Sequence, residues 1–204
     1  MCYPANLYFN KKFRIDFDWK NHFKLRLGTL SPDNRHQLSN SLRDLSHESI
    51  RNRFMGSKKE FSEKELEYLT NLDGWNHYAI GIEEREKPCR GVALARLVRS
   101  SSDPLEAEIA ITIIDEYQKF GLGSLLMKMI GLAASERKLE RLSFTFLPQN
   151  EAIIKLIHRL GPTYPVGEPD MDYVQLMMDI KDINLVEIKQ AVEAKVPGLK
   201  IKTI

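Results

Sequence analysis

The stretch from Glu106 to Leu126, EAEIAITIIDEYQKFGLGSLL, places the tightest limit on what this chain can fold into. Ile109, Ile111 and Ile113, with Thr112 and Ile114, form a β-branched run with the composition of a buried strand. Asp115 and Glu116 stop it, and Gly121 and Gly123 flank Leu122. From Ser124 the apolar spacing turns helical through Leu125, Leu126, Met129, Ile130 and Ala133. A strand therefore enters a helix through a tight glycine turn. The first turn of a helix carries N–H groups with no partner inside it, at the positive end of the dipole. Glycine removes the Cβ atoms that would hold an anion away, so the join reads as a phosphate cradle. Lys119 adds a cation beside it.

Which phosphate ligand it would take is open at this level. A Walker A loop needs Gly-x-x-x-x-Gly-Lys-Ser/Thr, and no stretch supplies it. A dinucleotide fingerprint needs a third glycine where Leu126 stands, and an acidic residue after the next strand. That next run, Arg141 to Phe146, ends in Leu147-Pro148-Gln149-Asn150 without an acid. An ordinary tight turn between strand and helix remains the bland alternative.

Length and charge narrow the class. At 204 residues the chain has the size of one domain with an added arm. With 43% hydrophobic and 28% charged residues it has the composition of a folded globular protein. Its net charge of +2 does not point to nucleic acid. No apolar run reaches the roughly 18 residues a membrane helix needs, and the N-terminus lacks the basic start and apolar core of a secretory signal. Cys2 and Cys89 make neither a disulfide framework nor a metal-ligand spacing. The expectation is an intracellular, cytoplasmic protein without a metal or a membrane partner.

Taken in order, Phe13, Ile15 and Phe17 alternate as a strand, and Phe23, Leu25 and Leu27 as a second. Ser31-Pro32 starts a helix whose face is Leu38, Leu42 and Leu45. Ser46 begins another, ended by Gly56. Ser62 with Glu65 has the capping-box spacing of a third, through Leu69. Residues 75–82 and 91–98 read as paired strands around a charged turn at 83–88, so that an antiparallel meander leads into the isoleucine strand. After the glycine-led helix come a short strand (Leu142, Phe144, Phe146), a helix from Glu151 ended by Gly161-Pro162, and a strand from Tyr173 to Ile180. A helix over 184–194 closes the chain.

Two motifs carry a resemblance. Gln118-Lys119-Phe120-Gly121-Leu122-Gly123 is similar to the Gln/Arg-x-x-Gly-x-Gly/Ala pyrophosphate loop of the GNAT N-acetyltransferase superfamily. About 30 residues on, the segment from Asn150 to Gly161 resembles that family's Asn-led helix ending in Leu-Gly. A third stretch, Leu45 to Gly56, resembles the Leu-Ser-x-Glu-Ser-x-x-x-Arg-Phe segment of bacterial Pat-type protein lysine acetyltransferases. The resemblance implies a mixed α+β fold, a mostly antiparallel central sheet flanked by helices. It implies a domain over 23–180, with 1–22 an N-terminal extension and 181–204 a closing helix and tail.

The implied chemistry is transfer of an acetyl group from acetyl-CoA to an amine, a protein lysine first. The alternatives are a small amine (polyamine, amino acid or antibiotic) and a silent acyl-CoA sensor. Glu108 matches the position of the base proposed in the Pat group, with Glu106 as fallback on the same strand face. The backbone of Ile111, Thr112 and Ile113 would meet the thioester and pantetheine arm. The loop residues Gln118, Lys119, Phe120, Gly121, Leu122, Gly123 and Ser124 would hold the pyrophosphate. Asn150 would touch the cofactor arm, a role compatible with capping its helix. Two departures stand out: Lys119 follows Gln118 where many members have Gly, and Ile157 stands where many have a Tyr that protonates the thiolate. His158 beside it lies about 100° round the helix. A CoA thiol with a pKa near that of Cys, about 8.5, leaves without much help.

Overall fold

The computed structural model describes residues 7–20, 22–86, 89–167 and 172–201. Cys2, Lys87-Pro88 of the charged turn, and the outermost residues of both ends fall outside them. The described strands are β1 (Arg14–Trp19), β2 (Phe23–Thr29), β3 (His77–Glu84), β4 (Gly91–Arg99), β5 (Glu106–Ile113), β6 (Arg141–Phe146), β7 (Tyr164–Pro165) and β8 (Val174–Asp179). They form a single sheet in the order β1-β2-β3-β4-β5-β6-β8-β7. Neighbours are antiparallel except β5 and β6, which run parallel. The meander read from the alternating segments is thus β3 to β5, and β2 and β1 extend the sheet by two antiparallel strands, with Phe17 opposite Leu25.

Helices α1 (Arg35–Ser41), α2 (His47–Phe54) and α3 (Glu63–Thr70) follow β2. Helix α4 (Leu122–Glu136) follows β5, α5 (Glu151–His158) follows β6, and α6 (Leu185–Glu193) closes the described chain. The two helical layers lie on opposite faces of the sheet, as the strand period of two requires. The Ile113 side chain meets α4 at Gly123, whereas Thr112 lines the cavity beneath α1 to α3. Helix α4 is buried almost throughout from Leu122 to Ala134. It packs on β3, β4 and β5 on one side and on α5 and α6 on the other. Each fully buried Leu or Ile there contributes roughly 1.5–3 kcal/mol. Phe9, Phe13, Phe17 and Trp19 from the start of the chain, and Val192, Val196, Leu199 and Ile201 from its end, enter the same core.

Three local expectations shift. Helix α2 ends at Phe54 because Met55, not Gly56, takes the left-handed conformation, at φ 54°. Strand β3 starts at His77, because Trp75 and Asn76 are held in a turn by their N–H bonds to the Asp73 carboxylate (both 2.8 Å). It also runs on through Glu83 and Glu84, which the sequence places in the charged turn. Arg26 pairs with Glu83 at 3.6 Å and the Tyr117 hydroxyl donates to Glu84, so neither carboxylate is driven out to solvent. The capping box of Ser62 and Glu65 forms as its spacing predicts.

Candidate active site

Strands β5 and β6 part company early. Their ladder pairs Glu106 with Arg141, Ala107 with Leu142 and Glu108 with Ser143, and goes no further. Beyond Ser143, β6 continues beside β8, and beyond Glu108, β5 continues beside β4. The result is a V-shaped gap in the sheet with Glu108 at its apex. Ile114 donates its N–H to Val92 (3.0 Å), so alternation turns Thr112 and Ala110 toward β4 as well. The peptide groups of Ile111 and Ile113 face the gap instead. The Ile113 carbonyl accepts from the Gln118 side chain at 3.2 Å, which leaves the edge around Ile111 open to a ligand strand or arm.

The glycine loop closes the wide end of the V. Lys119 (φ 64°) and Gly121 (φ 93°) both take left-handed backbone, which bends the chain sharply between Gln118 and α4. A left-handed lysine is uncommon, and Gly121 supplies the conformation that other residues resist. The first intrahelical bond runs from Leu125 N–H to the Gly121 carbonyl (3.1 Å), so the N–H groups of Leu122, Gly123 and Ser124 precede it. No side chain among the described residues caps them. A Cβ on Gly123 would stand 2.8 Å from Ile113 Cδ1 and 3.0 Å from a Leu156 methyl, so only glycine lets α4, β5 and α5 meet here. The helix thus presents a dipole end with free donors, flanked by exposed Lys119 and Lys20.

Sequence reading missed what holds this loop in place. The Trp19 indole N–H donates to the Phe120 carbonyl at 3.0 Å, across 101 residues of chain. Phe23 packs edge-on against Phe120 (5.1 Å between centroids) and at a tilt against Tyr117 (4.8 Å). On the opposite side, Asp115 accepts from Ser46 N–H (2.8 Å), Ser46 Oγ (2.7 Å) and Ser49 Oγ (3.0 Å). Gln118 Nε2 then reaches Ser49 Oγ at 3.0 Å. Burial pushes the Asp115 carboxyl up, but these donors outweigh it and hold it below its ordinary value. The two serines of the segment from Leu45 to Gly56 therefore dock α2 on the loop. Their spacing was visible in the sequence; their partner, read there only as a strand stop, was not.

The remaining candidates fall around the same gap. Glu108 is exposed and shares its strand face with Glu106, Ala110 and Thr112. Glu106 lies toward Arg141 and Tyr164 instead. Asn150 caps α5, its side chain accepting from Ile153 N–H at 3.2 Å. Ile157 is fully buried and His158 is exposed, so neither offers an acid to the gap. No group of three or more His, Cys, Asp or Glu among the described residues is arranged to hold a metal. No helix among them is long and apolar enough to cross a membrane.

Comparison with known proteins puts this geometry in context. No family model matches the chain. Over 144 residues, 70% of its length, it is 31% identical to the acetyltransferase Pat of Mycolicibacterium smegmatis. The matched region is 42% of that relative, so the chain spans less than half of it. Among solved structures, the GNAT domain of S. lividans PAT superposes with a TM-score of 0.71 at 22% identity, covering 81% of this chain and 96% of that one. Its fold is that of a GNAT domain, similar to that of S. lividans PAT. The same fold extends to the spermidine N-acetyltransferase from Vibrio cholerae in complex with CoA and spermine (TM-score 0.60, 17% identity, covering 78% of this chain and 96% of that one). A mixed, mostly antiparallel sheet between two helical layers is the architecture these proteins share with it.

Proposed function

We propose that this GNAT domain transfers the acetyl group of acetyl-CoA to a primary amine, a protein lysine in the first instance, by direct attack with Glu108 as general base. The observation that carries the reading is the end of the β5–β6 ladder at Glu108, with the uncapped N-terminus of α4 at the far side of the same gap. Five residues of strand, at about 3.3 Å each, separate Glu108 from Ile113 by roughly 17 Å. That is the span an extended pantetheine arm needs between a pyrophosphate on the loop and a thioester at the apex. The N–H groups of Leu122, Gly123 and Ser124 would hold the pyrophosphate, Ile111 to Ile113 the arm and the oxyanion, and Asn150 the arm from the side of α5. The relative named Pat and the neighbour in complex with CoA support acetyl-CoA as the donor.

An alkyl amine with a pKa near 10.4 is almost wholly protonated at neutral pH and cannot attack. An exposed carboxylate at the apex removes that proton, directly or through one water, as the nitrogen closes on the thioester carbon. The C–S bond then breaks and the thiolate leaves unassisted, since buried Ile157 offers no proton. The serine-docked helix α2 supports the protein-lysine acceptor, because the segment that builds it is the one similar to Pat. A cytoplasmic location would give the domain its donor.

The test is Glu108→Gln. Its kcat should fall at least about a hundredfold, while CoA binding stays within about twofold of the parent protein. A parent protein that binds CoA yet acetylates nothing, in a panel of lysine-bearing proteins and small amines, is a sensor and sinks the catalytic reading.

A further inference from the structure

We infer that the acceptor side of this site recognises a carboxylate carried close to the reacting amine, and that Arg53 binds it. The inference rests on the proposed acetyl transfer and names a property of the acceptor. Arg53 lies near the end of α2, its guanidinium carbon 5.1 Å from the centre of the Phe54 ring. It lines an apolar cavity between α1 to α3 and the sheet, walled by Leu42, Phe54, Phe61, Leu69 and Thr112. Arg96, which is 4% exposed, opens into the same cavity.

Arg96 is deeply buried and Arg53 half-buried, and both differ from the other deeply buried arginine. Arg137 donates to the carbonyls of Gly74 (3.0 Å), Ala133 (2.8 Å) and Phe9 (2.8 Å). It also lies 3.8 Å from the centre of the Tyr78 ring, so its charge is spent on the fold. Arg96 is held by the Leu69 carbonyl (2.8 Å) and by His77, but its buried Nε has no partner among the described residues. Arg53 makes no hydrogen bond or ion pair with any described residue. Burial lowers its pKa, and the carboxylate of Glu108 is what offsets that.

The charged lining of the cavity is Arg14, Arg26, Arg53 and Arg96 against Glu83, and Glu108 acts on Arg53 from beside it. His77 adds nothing at neutral pH, because burial and the neighbouring Arg96 press its pKa down to about 4. A structural arginine this far from water finds carbonyls, as Arg137 does. Arg53, half-buried on the cavity wall and without them, presents its guanidinium to an anion from outside. Since Glu108 lies within the electrostatic reach of Arg53, an acceptor with its carboxylate on Arg53 brings its nitrogen toward the base. The carboxylate has two chemical sources, an acidic side chain next to a lysine or the carboxylate of a free amino acid.

Two matched pairs distinguish them: lysine peptides that differ only in Glu or Gln beside the lysine, and leucine against leucinamide. With CoA release as the readout, the charged member of one pair should show a KM about tenfold lower than its neutral partner. The pair that shows it identifies the source. Arg53→Gln should erase that preference without moving the KM for acetyl-CoA, and Arg53→Lys should restore part of it. Equal KM values in both pairs, or a preference that survives Arg53→Gln, overturn the inference and leave the acetyl transfer standing. If none of the four is acetylated, calorimetric binding of the same four to the CoA-loaded protein decides. A carboxylate preference that depends on Arg53 then keeps the inference while the reaction falls, and its absence ends both.

Discussion

At its C-terminal end, α4 is closed by the chain's own groups. The Glu136 carboxylate accepts the N–H groups of Tyr8 (2.9 Å) and Phe9 (3.1 Å), and Arg137 binds three carbonyls from three segments. At its N-terminal end the same helix leaves three donors uncapped beside a left-handed glycine. A missing N-cap costs about 1 kcal/mol, and a lysine at φ 64° adds strain. An ordinary helix start, with a serine or aspartate cap in extended backbone, would carry neither cost. The difference is that the closed end holds the fold together, while the open end leaves its donors free, as the proposed pyrophosphate site requires.

That contrast can be broken by substitution. Gly121→Val would force a branched residue into the left-handed region and crowd the open end. The dissociation constant for CoA should rise about a hundredfold, measured by calorimetry, and undiminished CoA affinity would show that the open end is no ligand site. Arg137→Met should do the reverse. Losing the donors to three carbonyls should cost about 3 kcal/mol in urea unfolding, with CoA affinity per folded molecule within about twofold.

Acid should act on the closed side first. Burial pushes the Asp73 carboxyl up, but the N–H groups of His77, Trp75 and Asn76 and the Asn76 side chain outweigh it and hold it below its ordinary value. His77 has its pKa lowered from 6.5 to about 4. A histidine kept neutral by the fold contributes its full share above the unfolded value, and that share is lost as pH falls through 6.5 toward 4. Asp73 adds a loss in the same direction at lower pH. Thermal unfolding between pH 7 and 4 should show the midpoint falling, and His77→Gln should flatten the upper part of that slope. The smallest effect is Trp19→Phe, which removes one hydrogen bond worth about 1 kcal/mol and frees the Phe120 carbonyl. The KM for acetyl-CoA should rise about fivefold with kcat unchanged, and an unchanged KM would separate the N-terminal hairpin from the loop.

Much of this was legible without coordinates because it depends on neighbours in sequence. The β-branched run, the glycine pair, the capping box at Ser62 and the Asn150 cap all act over a few residues, and all appear in the structure. Met55, though exposed, takes the helix-ending conformation in place of Gly56, and nothing in its own sequence signals it. Glu83 and Glu84, read as a turn by their charge, became strand because Arg26 of β2 and Tyr117, beyond the end of β5, reach them.

The residue pattern alone set the kinds of element, their order, and the strand-to-helix join with its free donors, since backbone geometry and side-chain period act at short range. Only the tertiary structure decided that β6 leaves β5 at Glu108, that Trp19 pins Phe120, that Asp115 gathers Ser46 and Ser49, and that Arg53 comes near enough to Glu108 to feel its charge. Those contacts join positions separated by tens of residues. They arise from how the sheet twists and the helices pack, for which no short stretch of sequence carries a signal.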